Sequence, residues 1–327
     1  MRAARGFLKK ARGPYPLPPA GAIPYNAPGL ALRRMNSSDG HHAMHDTTPA
    51  GTLYLVPTPL GHDDDITRRA LDVLGRVDLI AAEDTRSAAR LLARHGLGQP
   101  LLSYHDHNEQ QRLETLLERL RGGEDVAVVS EAGTPLISDP GFRIVQAAIE
   151  AQIPVVSLPG PSAPITALVA SGLPVHSFCF LGFPPRKARQ RKAFWGERVA
   201  DTATLIVFEA PHRALESLED ALEVLGDRPM ALARNLTKEY EEILRGTISE
   251  VCAALRGRDK VLGELTVVIA GSDGGEDPRV WERAEEAIGQ MLAQGVEPRL
   301  IRDVVATLTD LPRRAIYQRI LEARSSS

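Results

Sequence analysis

From Gly51 onward, short apolar runs alternate with stretches whose hydrophobic positions recur at helical spacing. That alternation is the pattern of an α/β fold in which strands are buried and helices cover them. Thr52–Val56 reads as a strand, and Ile66, Ala70, Val73, Leu74 and Val77 then mark one face of a helix. Asp78–Ala82 is predicted as the next strand and Thr85–His95 as the next helix. Leu113, Leu116, Leu117 and Leu120 form a second stripe ahead of Gly122-Gly123. Asp125–Val129 is then near-continuously apolar, as in a parallel sheet covered on both faces. Helix Phe142–Ala151, strand Pro154–Leu158 and a short helix to Ser171 complete the first half, with the joint expected at Gly172-Leu173-Pro174. The second half is predicted to contain strands Ser177–Leu181, Ala203–Phe208, Arg228–Ala233 and Glu264–Ala270, and a helix at His212–Leu225. A Gly/Asp linker, Gly271–Asp277, precedes three short helices at Val280–Gln294, Pro298–Leu308 and Pro312–Ala323. The expected division is therefore an extension at 1–50, α/β domains at 51–172 and 173–272, and a helical appendage at 278–325. No internal repeat is evident.

Charge divides the chain differently. The formal net charge is −3, which lacks the basic balance of a general polyanion binder. Residues 1–34 contain seven basic residues, six prolines and no acid; the other 293 carry 32 basic against 42 acidic groups, a net of −10. Without amphipathic period, residues 1–50 are expected to be disordered, and Met35 or Met44 is an alternative start. Cys179 and Cys252 are far apart and lack metal spacing, which fits a reducing cytoplasm and argues against a disulfide framework. No run approaches the roughly 18 apolar residues of a membrane span, and prolines interrupt the basic N-terminal stretch where a signal peptide needs an apolar segment.

Neither G-x-G-x-x-G nor G-x-x-x-x-G-K-[ST] is present, which disfavours an ordinary dinucleotide or P-loop site. Instead, four loops rich in proline and small residues follow predicted strands, where open α/β sheets bind ligands. They are Pro57-Thr58-Pro59-Leu60-Gly61, Ser130-Glu131-Ala132-Gly133-Thr134-Pro135, Pro159-Gly160-Pro161-Ser162-Ala163 and Glu209-Ala210-Pro211-His212-Arg213. Small residues let the main chain approach a neutral or zwitterionic ligand, while proline fixes the turn. One such loop is an ordinary turn; four point to a site.

The strings GTLYLVPTPLG, AAEDTR, EAGTPLISDPG, PGPSA with ITAL, FEAPHR, and LTKEYEE with RGT resemble the tetrapyrrole-methylase superfamily in this order. Within it they are most similar to the branch that methylates a cytidine 2′-hydroxyl of 16S rRNA. The resemblance covers about residues 51–325. It implies two α/β domains with S-adenosylmethionine (SAM) in the cleft between them, usually in a homodimer. The implied cofactor-binding residues are Pro57, Gly61, Ser130, Glu131, Ala132, Gly133, Pro159, Gly160, Ser162, Ala163, Phe208, Glu209 and Ala210. The chain departs from the family at His62, where Asn is common, at Glu131, where Asp is common, and at Asn235, where Glu is common.

Methyl transfer to a ribose hydroxyl needs an aligned acceptor and a group that takes its proton or stabilises its charge. Glu83, Asp84, Glu209 and Lys238 are the catalytic candidates, although Glu83-Asp84-Thr85 also has the composition of a helix start. His105 and His107 supply half a metal site at most, and no metal is expected. Arg186-Lys187-Ala188-Arg189-Gln190-Arg191-Lys192 places five cations in seven residues before Phe194-Trp195. This reads either as a solvated face with the tryptophan as an anchor, or as a loop holding small-subunit rRNA, with an aromatic stacking on a base. Arg186, Lys187, Arg189, Arg191 and Lys192, together with Arg86, are the RNA-binding candidates; Arg90 accompanies Arg86 on its helix, and Arg313, Arg314 and Arg319 offer a second contact. The alternatives are methylation of a tetrapyrrole or other small molecule, which does not need such a run, and a non-catalytic ribosome-binding protein on the same scaffold.

Overall fold

A computed structural model describes residues 49–273, 278–309 and 311–325. Apart from Pro49 and Ala50, the extension expected at 1–50 lies outside these residues. The first sheet contains β1 (Leu53–Leu55), β2 (Leu79–Ala82), β3 (Leu101–Ser103), β4 (Val126–Val129) and β5 (Val155–Ser157). Its order is β3-β2-β4-β1-β5 and every pair is parallel. Side chains alternate between faces along each strand. Tyr54, Ile80, Ala127 and Val129 pack with Ala70, Val73 and Leu92 from α1 (Arg68–Leu74) and α2 (Thr85–Arg94). Leu53, Leu79, Val126 and Val128 pack with Leu116, Leu120, Ile144 and Ala148 from α3 (Glu109–Arg121) and α4 (Phe142–Glu150). Both faces are dry, which is why β4 is apolar throughout.

The second sheet, ordered β6-β7-β10-β8-β9, is mixed. It comprises β6 (Phe178–Phe180), β7 (Thr204–Glu209), β8 (Pro229–Arg234), β9 (Glu242–Thr247) and β10 (Leu265–Ile269). Only β6 and β7 run parallel; the other three pairs are antiparallel. One face packs on α6 (Ala188–Gly196), α7 (Ala214–Leu225) and α8 (Ile248–Arg256) through Trp195, Leu218 and Val251. Its other face receives α5 (Ala163–Ser171): Ala167 and Leu168 cluster with Ile206, Ala233 and Val268, and Leu60 from the loop after β1 joins them. The helix expected to close the first half is therefore packed on the second sheet.

The three C-terminal helices, α9 (Pro278–Ala293), α10 (Pro298–Thr309) and α11 (Arg313–Ser325), gather Ala284, Ile288, Ile301, Val305, Ile316 and Ile320 into a small core of their own. Among the described residues no helix is long and apolar enough to cross a membrane.

One expectation changes here. The basic run forms α6 instead of a loop, and its cations are unequal. Arg191 is fully buried against α7: its Nε donates to Asp220 Oδ2 at 2.7 Å and its Nη2 to Glu216 Oε1 at 2.7 Å, while Nη1 reaches the Arg186 carbonyl at 3.1 Å. It is not an RNA contact, because a guanidinium inside the fold cannot meet a phosphate. Lys192 is paired to Glu223 at 2.6 Å, and Trp195 is buried as an anchor, so it does not stack on a base. Arg186, Lys187 and Arg189 face solvent. Removing one member of a buried pair strands the other charge at a cost of about 3–5 kcal/mol. Arg191→Ala is therefore expected to lose that much unfolding free energy in urea titration, whereas Arg189→Ala should stay within about 0.5 kcal/mol of the parent.

Candidate active site

All the parallel strands of the first sheet end on one edge, so the loops after β1, β2, β4 and β5 emerge together. Backbone bonds tie them. Thr58 N donates to Gly133 O at 2.9 Å and Gly133 N to Thr58 O at 3.0 Å, while Thr134 Oγ1 donates to Pro161 O at 2.8 Å. Close approach explains the glycines: a Cβ on Gly160 would stand 2.6 Å from Pro57 Cβ, and Gly133 has φ of 83°. Pro57, Pro159 and Gly160 thus set the loop framework without lining the cavity it borders.

That cavity, about 380 Å³, is walled by both sheets. Glu83, Glu131, Ala132, Gly133, Asp139, Ser162 and Ala163 come from the first edge and from the start of α5; Phe208, Glu209, Ala210, Glu264 and Thr266 come from β7, β10 and their adjoining loops. A second cavity of about 320 Å³ shares Glu131 and is lined by Thr58, Gly61, Ser130, Arg90 and Arg94. Arg86, Arg90 and Arg94 stand four residues apart along α2, all exposed, with Arg94 paired to Asp63.

The catalytic candidates separate by their partners. Glu209 is 3% exposed; its Oε1 accepts from Ala210 N at 2.7 Å and from Arg213 Nη2, while Oε2 is buried with no partner and its residue lines the cavity. Glu83 lines the same cavity, and its Oε2 accepts Glu131 N at 3.2 Å. Asp84 does not line it: it caps α2, accepting Arg86 N at 2.7 Å and Ser87 N at 3.1 Å, bonds that hold its carboxyl below the usual range. Lys238 is likewise outside the wall, paired to Glu264.

The departures at His62 and Asn235 have structural work. Asn235 has φ of 54° and its Oδ1 accepts Glu264 N at 3.2 Å; Asn tolerates that conformation better than most residues. His62 Nδ1 accepts Asp64 N at 3.3 Å, capping the short turn at Asp63–Asp65, and its main-chain N donates to Thr237 Oγ1 at 3.2 Å, joining the loop after β1 to the one after β8. A Cβ on Gly61 would meet Lys238 Cγ at 2.2 Å, so the two loops touch there. His105 is held in a turn by Asn108, whose Oδ1 accepts His105 N at 2.8 Å. Among the described residues no group of three or more metal-ligating side chains gathers. On α11, Arg319 pairs with Glu285 at 2.9 Å, whereas Arg314 is exposed.

Sequence reading missed Asp139. It lies in the loop after β4, half-buried, between Leu136 and Ser138 at φ of 73° and 68° and Gly141 at 131°. Burial, helped by Glu83, Asp106 and Glu131, pushes its carboxyl up to about 7, against the nearby Ser130 hydroxyl, which favours the charged form. The string Ser138-Asp139-Pro140-Gly141 was a signal of a tight turn, but neighbours from two other segments were needed to mark the acid.

A model of the tetrapyrrole (corrin/porphyrin) methylases matches residues 52–252. The protein is 50% identical over 285 residues to "Ribosomal RNA small subunit methyltransferase I" of Micromonospora olivasterospora, covering 86% of this chain and 90% of that one. It is 40% identical over 291 residues to the protein of the same name from Bacillus subtilis, covering 88% and 97%. Among solved structures, the methyltransferase CobJ superposes with a TM-score of 0.54 at 19% identity, covering 68% of this chain and 95% of that one, a likeness of fold.

A carboxyl raised in the folded state binds its proton more tightly there than in the unfolded chain, so its stability contribution is full below about 4 and is lost as pH rises through about 7. Asp139→Asn is expected to raise unfolding free energy at pH 8 by on the order of 1–2 kcal/mol relative to the parent, with little difference at pH 4. Chemical denaturation at the two pH values checks the sign.

Proposed function

The chain belongs to the tetrapyrrole methylases and, within them, to the small-subunit ribosomal RNA methyltransferase I group, and on that premise we propose that it methylates the 2′-hydroxyl of a cytidine in small-subunit rRNA with SAM. SAM supplies an electrophilic methyl carbon on a sulfonium. The observation that carries the reading is the carboxylate-walled cavity with its buried, unpartnered Glu209 Oε2. Such an oxygen is costly unless a ligand donor meets it. Acidic walls also suit a cationic ligand, and the small residues at Ala132, Gly133, Ala163 and Ala210 leave main-chain groups accessible.

In this reading Glu131, Ala132, Gly133, Ser162, Ala163, Phe208, Glu209 and Ala210 hold the cofactor directly. Pro57, Gly61, Ser130, Pro159 and Gly160 fix the loops that carry them. Positioning the acceptor in such a site is worth about 7–11 kcal/mol of barrier. The RNA backbone is held by Arg86 and Arg90 beside the second cavity and by Arg186 and Lys187 just before α6 and Arg189 on it, which turn toward solvent. Two α/β domains, the second of them including α5, with the helices of 278–325 appended, work as a homodimer in the cytoplasm. Exposed Ile165 and Val169 on α5, with Val175 and Phe178 beside them in sequence on the edge of the second sheet, offer apolar surface for that association.

Purified protein, methyl-labelled SAM and 30S subunits from a strain lacking this gene should yield label at a cytidine ribose, read by nuclease digestion and mass spectrometry. Saturable SAM binding without transfer to the subunit would reject the rRNA reading. Replacing Arg186, Lys187 and Arg189 together with Ala should weaken subunit binding and flatten the dependence of log K on log salt by about 2, at roughly 0.7 per lost phosphate contact. Calorimetric SAM affinity should stay within about twofold.

A further inference from the structure

We infer that Asp139 is the catalytic base, its carboxylate taking the proton of the acceptor hydroxyl during methyl transfer. This role rests on the proposed reaction. The O2′–H bond breaks, its proton moves to an Asp139 oxygen, and the electron pair left on O2′ bonds the methyl carbon as the S–C pair departs with sulfur.

Four observations converge on this residue. Asp139 lines the cavity walled by both sheets, and so does Glu209 from the second sheet, a residue whose buried Oε2 has no partner. The loop that presents it is wound through left-handed conformations at Leu136 and Ser138, where side chains are disfavoured, and such strain is kept where geometry is needed. Of the other candidate carboxylates, Glu209 bonds Arg213 and Ala210, Glu83 the Glu131 amide and Asp84 the start of α2, while Glu131, exposed on the wall of both cavities, is placed with the cofactor. Finally, the groups around Asp139 set its proton affinity near neutrality. Burial disfavours its charged form, and Glu83 at the end of β2, Asp106 in the loop after β3 and Glu131 in its own loop repel a second charge, against the nearby Ser130 hydroxyl. A base poised there is ionised at working pH and still basic enough to accept a proton.

Single-turnover methylation of 30S subunits at saturating SAM should rise with pH and level off above about 7. Asp139→Asn should slow it by 100-fold or more and remove the rise, with SAM affinity by calorimetry and subunit affinity within about threefold. Asp139→Glu should recover part of the rate. Asp106→Asn removes one of the negative charges that raise the Asp139 carboxyl, so it should move the pH midpoint downward while retaining the base, a readout that does not depend on Asp139→Asn folding well. An unchanged rate and pH profile in Asp139→Asn would overturn the assignment. A parallel loss of SAM affinity would also overturn it, making the residue a cofactor holder. A wild-type protein that binds SAM but labels no rRNA would overturn the underlying reaction and this role with it.

Discussion

The reciprocal hydrogen bonds between Thr58 and Gly133 are the contact on which the site depends. Parallel strands deliver their loops to one edge but do not fix the loops against each other. Here β1 lies between β4 and β5, so its loop is the one that can bridge both neighbours. Thr58 clamps it to the β4 loop, Pro57 seats it on Gly160 of the β5 loop, and Leu60 reaches past them into the core of the second sheet. The carboxyl edge of the first sheet is thereby locked to the face of the second. A cavity shared by the two sheets follows from that lock, and so does the intolerance of a side chain at Gly160 or Gly61, where the pressing atoms belong to a proline ring and to the base of the Lys238 side chain and its main chain.

What the sequence disclosed depended on whether an element's partners are local. β4 was readable because its four residues are all buried, and α2 because Asp84 caps it from the adjacent position. The four ligand loops were readable because proline and glycine announce a turn whatever lies across from it. β3 and β9 escaped since neither contains a fully buried residue, leaving no apolar run to detect. α6 was hidden by its own arginines: that Arg191 turns inward is decided by Asp220 and Glu216, which lie 29 and 25 residues away. Asp139 was missed for the same reason. Its character comes from burial and from Glu83 and Asp106, which the sheet brings beside it and the sequence keeps apart.

The distribution of charge follows the same logic. A net of −3 conceals a body that carries more acid than base, and within that body the signs are sorted. Carboxylates of Glu83, Glu131, Asp139 and Glu209 gather in the cavity, where a cationic sulfonium is attracted. Exposed arginines stand at the second cavity and on α6. Excess cation spread evenly over the surface would bind any nucleic acid; cations confined to a few positions on an acidic body bind an RNA only where its backbone matches them.

Two cavity carboxylates with unlike surroundings can then divide the work. Glu209 is fixed by Arg213 and by a backbone amide, and its second oxygen has no partner in the fold, which suits an anchor. Asp139 has no cation beside it among the groups that set its proton affinity, only acids, a hydroxyl and the cost of burial. Pairing with arginine would have held Asp139 ionised and made it a weaker base, whereas leaving Glu209 without arginine would have made its burial costly. Placing Arg213 four residues after Glu209, across a short helical turn, gives the cation to the anchor and keeps it from the base. The separation of holding from proton transfer is therefore built into the local sequence of one loop and the sheet-driven convergence of the others.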